Sequence, residues 1–295
     1  MRGVASACGS ATVVNAIATG KGAAFAIELR VRAEVELTAE AGEVKGQIVD
    51  EPSEDPRLIE ICAEKVLEHL GLEHKYGAVV RTTSEVPIAV GLSSSSAAAN
   101  AAVLATFAAA GRRPKPRIAL DLGVDAALEA GVTITGAFDD AAASYLGGGV
   151  VTDNLKRRVL RRFRVDPRLR VLVHVPPYKL HTARVDPARV KPLAGLVEVA
   201  HGLALRGNVF EALTLNGLLY SWALGHEQEV ALEALRAGAL AAGLTGTGPA
   251  VVAVVRPGNV ERVREAWRGR TGRIIITKPS QEGARVEVGA WARRS

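Results

Sequence analysis

The sequence predicts an α+β protein of two domains with antiparallel or mixed sheets. Three observations support this prediction. The chain has 295 residues, enough for one large domain or two smaller ones. Helical apolar spacing and alternating strand patterns are interleaved along the whole chain, with no internal repeat. The pattern restarts after a basic segment at 156–170, so we predict domains at 1–160 and 161–295.

The first 130 residues are predicted to contain two strands and three helices, recognised from the spacing of their apolar residues. The strands cover 24–37 and 77–84, and the helices cover 56–70, 97–110 and 117–130. A Gly-Ser loop stands directly before the alanine-rich helix at 97–110, which is apolar enough to be buried. After Gly131 the sequence predicts a strand, a loop, a short helix at 141–145 and, after three glycines, another strand.

The second half opens with a core strand at 170–177, which two prolines end. Four helices are expected from their apolar spacing, at 188–206, 208–224, 227–242 and 258–268. Between the last two, LTGTGPAVVAVV predicts a glycine turn and a strand. A strand at 272–277 follows, and the tail VEVGAW is interpreted as a final strand.

Composition excludes several classes of protein. Hydrophobic residues make up 48% of the chain and charged residues 23%, so we expect a packed core rather than disorder. Apolar runs are too interrupted for a membrane span, and polar residues interrupt the apolar N-terminus, so no cleaved signal peptide is expected. The two cysteines cannot form a disulfide framework and favour a reducing cytoplasm.

Positive charge is concentrated in one place. The chain carries a net charge of +6, and the segment 156–170 alone holds eight basic residues and one acid. We interpret this segment as a solvated strand face or a domain joint. A field for an anionic substrate and an oligomer contact remain alternatives. Nucleic-acid binding is not expected, because the segment matches no known nucleic-acid-binding module.

The first chemical motif is a loop rich in small residues at the start of the helix at 97–110. Free N–H groups and the positive end of a helix dipole make such a position an anion site, and a serine hydroxyl can bind Mg²⁺. An ordinary serine N-cap is the alternative. The candidate residues are Pro87, Ile88, Ala89, Val90, Gly91, Leu92, Ser93, Ser94, Ser95, Ser96 and Ala97.

The second motif contains two adjacent acids, Asp139 and Asp140, in a stretch of small apolar residues. One of them could orient or deprotonate a hydroxyl group. An acidic N-cap of the helix at 141–145 is the alternative. Because successive side chains usually point in different directions, we expect the two acids to have different roles.

The third motif is a glycine-rich turn at 243–250, between a helix and a strand. Its glycines permit close backbone approach to a ligand, although a simple helix-ending turn would also explain them. We take Thr245, Gly246, Thr247 and Gly248 as candidates that support the phosphate loop.

In order and spacing, these three motifs together resemble those of the GHMP small-molecule kinases. The segments GLSSSSAAANA and GVTITGAFDDAAAS are most similar to the archaeal-type shikimate kinases. The usual Pro-Gly-Lys opening is missing, and SACGSATVVNAIATGKGAA stands in its place. The resemblance spans nearly the whole chain. It implies a ribosomal-protein-S5-like N-terminal domain and a ferredoxin-like C-terminal domain.

The resemblance also implies roles for individual residues. ATP would lie across the loop from Pro87 to Ala97, and Ser95 would bind Mg²⁺ together with Glu129. Asp139 matches the acid that polarises the acceptor hydroxyl, with Asp140 as the alternative. Phosphoryl transfer depends mainly on positioning and charge neutralisation, which this set of groups would supply.

The implied activity is ATP-dependent phosphorylation of the 3-hydroxyl of shikimate, a step toward chorismate and the aromatic amino acids. A carboxylate substrate requires a cation and short polar groups. The candidates are Thr12, Asn15, Lys179, His181 and Arg184. The alternatives are another kinase of the family, for homoserine or an isoprenoid alcohol, and a non-catalytic binding protein on the same scaffold. No membrane or nucleic-acid partner is expected.

Overall fold

The larger of two sheets forms the centre of the N-terminal half of the chain. The computed structural model describes residues 1–182 and 185–288. The strands of this sheet are β1 (Arg2–Val14), β2 (Lys21–Thr38), β3 (Val44–Ile48), β4 (Gly77–Ser84), β5 (Gly149–Asp153), β6 (Arg158–Phe163) and, from the end of the chain, β11 (Arg285–Val288). Their order is β11-β1-β2-β4-β3, and β5 pairs with both β2 and β6. Of the strand pairs described in this sheet, only β3 and β4 run parallel.

Four helices accompany this sheet. They are α1 (Arg57–Leu70), α2 (Ser94–Ala109), α3 (Pro116–Glu129) and α4 (Phe138–Leu146). Helix α2 is alanine-rich and buried on nearly all sides, because it packs against β1 and β2 and also contacts α1, α3 and α4. A Cβ at Gly3 of β1 would lie 2.2 Å from the carbonyl oxygen of Ala105. This close approach fixes the position of α2 and therefore of its N-terminus.

The second sheet contains β7 (Arg170–Val175), β8 (Ala241–Leu244), β9 (Val251–Val255) and β10 (Arg273–Thr277). Its order is β10-β7-β9-β8, and all described pairs are antiparallel. The accompanying helices are α5 (Ala194–Arg206), α6 (Val209–Leu224), α7 (Glu229–Arg236) and α8 (Val260–Ala266). Helix α6 lies directly on β8, where a Cβ at Gly217 would stand 2.4 Å from the Cα of Gly243. Helices α5 and α6 also contact β1, so they join the two halves.

The structure agrees with most of the predicted elements, and the following three are among the differences. The helix expected at 227–242 ends at Arg236, and Ala241–Leu244 form strand β8. This stretch is a nearly continuous run of apolar residues, and its spacing does not distinguish a helix from a strand. The strand expected after Gly131 does not form, and those residues lead into α4 without regular structure. Strand β1 was not predicted, since its small residues give no alternating pattern.

A boundary between the two halves at residue 160 would divide strand β6 and would separate β11 from the sheet to which it belongs. Strand β6 crosses that position, and β11 returns to pair with β1. The division at 160 therefore stays a prediction, with one strand of the first sheet contributed by the end of the chain.

The basic segment 156–170 contains the exposed strand β6, and several of its arginines bind neighbouring elements. Arg157 forms an ion pair with Asp125 of α3 at 2.6 Å, and Arg162 donates to the carbonyl oxygen of Leu146 at the end of α4. These contacts agree with a joint between elements. No helix in the described part of the chain is long and apolar enough to cross a membrane.

Candidate active site

A cavity of about 300 Å³ lies where the two halves meet. Its wall brings together the end of β1, the loop before α2, the start of α4, the segment around His181 and the glycine turn before β9. The chemically important lining residues are Thr12, Asn15, Ser93, Ser94, Ser95, Ser96, Asp139, Asp140, His181, Thr182, Gly246 and Thr247. All three sequence motifs therefore meet at one cavity.

The N-terminus of α2 is open toward this cavity. Its N-cap, Ser93, has a left-handed backbone with φ of 59° and makes no side-chain cap hydrogen bond. The backbone N–H groups of Ser94, Ser95 and Ser96 have no acceptor in the described part of the chain. Ala89 also has a positive φ, of 57°. Such conformations cost free energy outside glycine and are typical of functional sites, so the loop is shaped to present N–H groups to an anion.

A network of hydrogen bonds connects this loop to β1 and to the glycine turn. The hydroxyl of Thr245 donates to the carbonyl oxygen of Gly91 at 2.9 Å and accepts from the N–H of Thr12 at 3.0 Å. The N–H of Gly246 donates to the hydroxyl of Thr12 at 2.9 Å. A Cβ at Gly91 would lie 2.1 Å from the carbonyl oxygen of Thr245, so only glycine fits there. The three segments thus form one preorganised wall of the cavity.

The carboxyl group of Asp139 lies in the second residue of α4 and is only 3% exposed. Its Oδ1 accepts a hydrogen bond from Nδ2 of Asn154 at 2.7 Å. Burial, followed by the neighbouring charge of Asp140, raises the pKa of Asp139 to about 7. Its surroundings therefore favour the protonated form more than those of an exposed aspartate do.

Asp140 has different partners. Its Oδ1 accepts from the hydroxyl of Ser10 at 2.8 Å, and the oxygen of Ser10 lies 2.8 Å from that of Ser93. Burial raises the pKa of Asp140, while hydrogen bonds from Ser10 and Ser93 act in the opposite direction. The two acids face different surroundings, since Asp139 bonds to Asn154 after β5 and Asp140 bonds to Ser10 of β1, and their expected difference in role stays a prediction.

Comparison with known proteins identifies the family of the chain. The family model described as GHMP kinases N terminal domain matches residues 57–148, and the one described as GHMP kinases C terminal matches residues 204–273. The chain belongs to the GHMP kinase family. Among its curated relatives is a protein of Methanosarcina mazei named shikimate kinase, 46% identical over 96% of both chains. Another protein of that name, from Methanothrix thermoacetophila, is 49% identical over 97% of this chain and 96% of its own.

Solved structures of GHMP kinases have the same fold. Homoserine kinase from Cytophaga hutchinsonii superposes with a TM-score of 0.76 and 18% identity, covering 97% of each chain. Mevalonate kinase from Methanococcus jannaschii gives a TM-score of 0.74 and 17% identity, covering 94% of this chain and 98% of its own. The predicted two-domain α+β GHMP kinase fold is thereby confirmed.

Only part of the predicted ATP-binding loop lines the cavity. Ile88, Ala89, Gly91 and the four serines line the cavity. Val90, Leu92 and Ala97 are instead buried in the core, where they hold the loop in place. Pro87 stands outside the lining residues. Thr245 is fully buried and bonded to backbone groups on both sides, so its role in the third motif is to support the loop.

The predicted metal ligands are not brought together. Ser95 lines the cavity, but Glu129 pairs with Lys65 of α1 at 2.6 Å and does not line it. Helix α3 turns the end that carries Glu129 toward α1. Across the described residues, no three His, Cys, Asp or Glu side chains form a metal cluster. The hydroxyl oxygen of Ser95, beside open N–H groups for phosphate, nevertheless suits Mg²⁺ that arrives with a nucleotide.

Only some of the residues predicted to bind the substrate line the cavity. His181 lines the cavity, whereas Lys179 pairs with Glu51 and Glu54 at 3.3 and 2.9 Å. Thr12 and Asn15 line the cavity and also hold the glycine turn, since Nδ2 of Asn15 donates to the carbonyl oxygen of Gly246. Arg184 lies outside the described residues.

Three residues of the site were missed by sequence reasoning. Ser10 and Asn154 each bind one of the two acids, and a Cβ at Gly22 would lie 2.4 Å from Oδ2 of Asp139. Ser10 lies in the segment that replaces the usual first motif. Asn154 lies in the turn after β5, where asparagine is a common residue, so its position carries no signal of a role at the site.

Proposed function

We propose that this GHMP kinase transfers the γ-phosphoryl group of ATP to the 3-hydroxyl of shikimate. One observation carries the proposal: the open N-terminal turn of α2 and the buried carboxyl of Asp139 line the same cavity. A cavity of about 300 Å³ lined by both groups supports the proposal that a phosphate and an acceptor hydroxyl meet there. The choice of shikimate is supported by the curated relatives of that name, which match nearly the full length of the chain.

The phosphates of ATP would be held by backbone groups. The N–H groups of Ser94, Ser95 and Ser96 and the positive end of the α2 dipole would bind them. No Lys or Arg belongs to the described lining of the cavity, so positive charge must come from elsewhere. We assign Ser95 to hold Mg²⁺, which would supply that charge when it is bound.

Asp139 would receive the proton of the acceptor hydroxyl. A general base works best when its pKa is close to the working pH, and burial raises the pKa of Asp139 to about 7. Each acid has its Oδ1 bonded, Asp139 to Asn154 and Asp140 to Ser10, but Ser10 also contacts Ser93 and so ties Asp140 to the loop before α2. We therefore assign Asp139 the contact with the 3-hydroxyl and Asp140 the support of the phosphate loop through Ser10 and Ser93.

The carboxylate of shikimate requires a positively charged or hydrogen-bonding partner. Within the described lining, His181 is the basic side chain, and its neighbour Thr182 lies 3.1 Å from the hydroxyl of Thr247. We assign His181 to the carboxylate and the two threonine hydroxyls to the ring hydroxyls of the substrate. The two buried, unpaired cysteines and the biosynthetic relatives favour the cytoplasm as the compartment.

A coupled ADP-release assay tests the proposal with Mg·ATP and shikimate, homoserine or mevalonate as acceptor. We expect turnover with shikimate alone, and a loss of at least about 100-fold in kcat for Asp139→Asn, as expected when a general base is removed. Turnover with another acceptor would overturn the choice of substrate. Turnover with none of them, in a protein that binds Mg·ADP, would overturn the proposed reaction.

A further inference from the structure

A buried side chain outside the three motifs contacts the proposed base. Asn154 follows β5 directly and is 3% exposed. Its backbone N–H donates to the carbonyl oxygen of Gly20 at 2.8 Å, which ties it to the start of β2. Its Nδ2 donates to Oδ1 of Asp139 at 2.7 Å. In the described part of the chain, this is the only side chain that donates a hydrogen bond to Asp139.

The orientation of this amide group is determined by a second buried residue. The hydroxyl of Thr152, which is fully buried in β5, lies 2.7 Å from Oδ1 of Asn154 and 3.2 Å from the carbonyl oxygen of Gly22, and it donates to the closer Oδ1. With its oxygen occupied, the amide presents its NH₂ group to the carboxyl of Asp139. The carbonyl oxygen of Thr152 also lies 3.2 Å from Nε2 of the buried His201. Oδ1 of Asp139 is therefore supported by Asn154, and Asn154 in turn by the buried Thr152, which also contacts His201.

The backbone of β2 limits the other side of the carboxyl group. Gly22 packs so closely that any Cβ there would lie 2.4 Å from Oδ2 and 2.6 Å from Cγ of Asp139. Asn154 holds one oxygen, and Gly22 sets the plane of the group. The carboxyl is thus held in a fixed rotamer before any substrate binds, as general-base geometry requires.

We propose that Asn154, oriented by Thr152, is a positioning residue that aims Asp139 at the acceptor hydroxyl. This inference rests on the proposed phosphoryl transfer and deepens it. Asn154 is not among the residues that line the cavity. It acts through Asp139, by fixing one oxygen and stabilising the ionised form of the carboxyl group with a hydrogen bond.

The charged and titratable groups around Asp139 are few. Asp140 is on the same helix, Tyr220 faces the acid from α6, and His201 reaches it through Thr152. Lys21 of β2 pairs with Glu198 at 2.8 Å near the surface. Because the donor of Asn154 favours the ionised carboxyl against burial and Asp140, losing its orientation should raise the pKa of Asp139.

Two substitutions at Thr152 form a matched pair for the test. Thr152→Val keeps the shape of the side chain and removes the hydroxyl, whereas Thr152→Ser restores a hydroxyl. The control is Ser144→Ala on α4, which removes a buried hydroxyl that has no hydrogen-bond partner in the described structure. Asn154→Asp, which places a third carboxyl in the cluster, gives a stronger perturbation.

The primary readout is the ¹³C carboxyl titration of Asp139, assigned with Asp139→Asn, together with the pH profile of kcat/KM. We expect Thr152→Val to move the titration and the acidic limb upward by about one pH unit. Thr152→Ser should return both to wild-type values, and Ser144→Ala should move neither. The kcat of Thr152→Val should fall about 10-fold, with the KM for ATP unchanged.

An unchanged Asp139 titration in both Thr152→Val and Asn154→Asp, in proteins that remain folded and bind Mg·ADP, would overturn the inference. Equal loss in Thr152→Val and Thr152→Ser would also overturn it, because packing alone would then explain the effect. If shikimate is not a substrate, no kcat/KM can be measured, but the titration of Asp139 and the binding of Mg·ADP can still be measured. Failure of the proposed function is thereby distinguished from failure of the positioning role.

Discussion

Gly22→Ala places a single methyl group against the proposed catalytic acid. The new Cβ would stand 2.4 Å from Oδ2 and 3.0 Å from Cβ of Asp139. Ordinary contact between such atoms begins near 3.4 Å, so the carboxyl must move by about 1 Å. A displacement of that size is worth about 100-fold in rate. Overpacking should also cost about 1–3 kcal/mol of stability.

The assay is steady-state turnover with Mg·ATP and shikimate, with thermal unfolding and Mg·ADP binding measured on the same samples. Nucleotide affinity should stay within about 3-fold of wild type, because the α2 N-terminus is untouched. Gly195→Ala is the matched control, since nothing lies within 4 Å of a Cβ at that position of α5. A Gly22→Ala enzyme that is folded and retains wild-type kcat would refute the placement of Asp139 at the reacting hydroxyl.

Four further predictions rest on the contacts described above. Burial raises the pKa of Asp139 to about 7, so kcat/KM should fall as pH drops below about 7, which a pH profile measures. In the unfolded chain the same carboxyl has a lower pKa, of about 3.9, so the folded state gains stability as pH falls from 7 toward that value. Asp139→Asn should therefore raise the Tm more at pH 8 than at pH 5, which thermal unfolding measures. Thr245→Val leaves the buried N–H of Thr12 unpaired and should cost about 1–3 kcal/mol in denaturant unfolding, with a raised KM for ATP. Glu129→Gln should leave kcat and the Mg²⁺ dependence within about 2-fold of wild type, because this half-exposed carboxylate pairs with Lys65 away from the cavity; a metal-dependent loss would contradict that placement.

The fold and the central residues of the site could be predicted from the sequence, whereas the residues around them could not. Strand β4 and helix α1 were predicted almost to the residue, because their apolar spacing is regular and Gly71 ends the helix in a left-handed conformation. The loop before α2 and Asp139 were recognised as chemistry because small residues and acids stand in an otherwise apolar stretch. Each of these features lies within one short segment, so it can be recognised in a single sequence.

The remaining features depend on contacts between distant segments. Glu129 stands at the expected spacing before Asp139, yet the direction of α3 pairs it with Lys65. Asn154 lies 15 positions after Asp139, and only the pairing of β5 with β2 brings the two side chains together. Thr245 was expected to support the phosphate loop, but its bonds to Gly91 and Thr12 require the tertiary structure. No periodicity or composition encodes such pairings.

The most direct test of the account is the identity of the phosphorylated product. Wild-type enzyme is incubated with Mg·ATP and shikimate, and the product is analysed by ³¹P NMR with proton coupling to locate the new phosphate ester. The account predicts one product, phosphorylated on the 3-hydroxyl, with one ADP released for each ester formed and with almost none formed by Asp139→Asn. A phosphate on another hydroxyl, or ADP release without an ester, would contradict the assignment of Asp139 to the 3-hydroxyl.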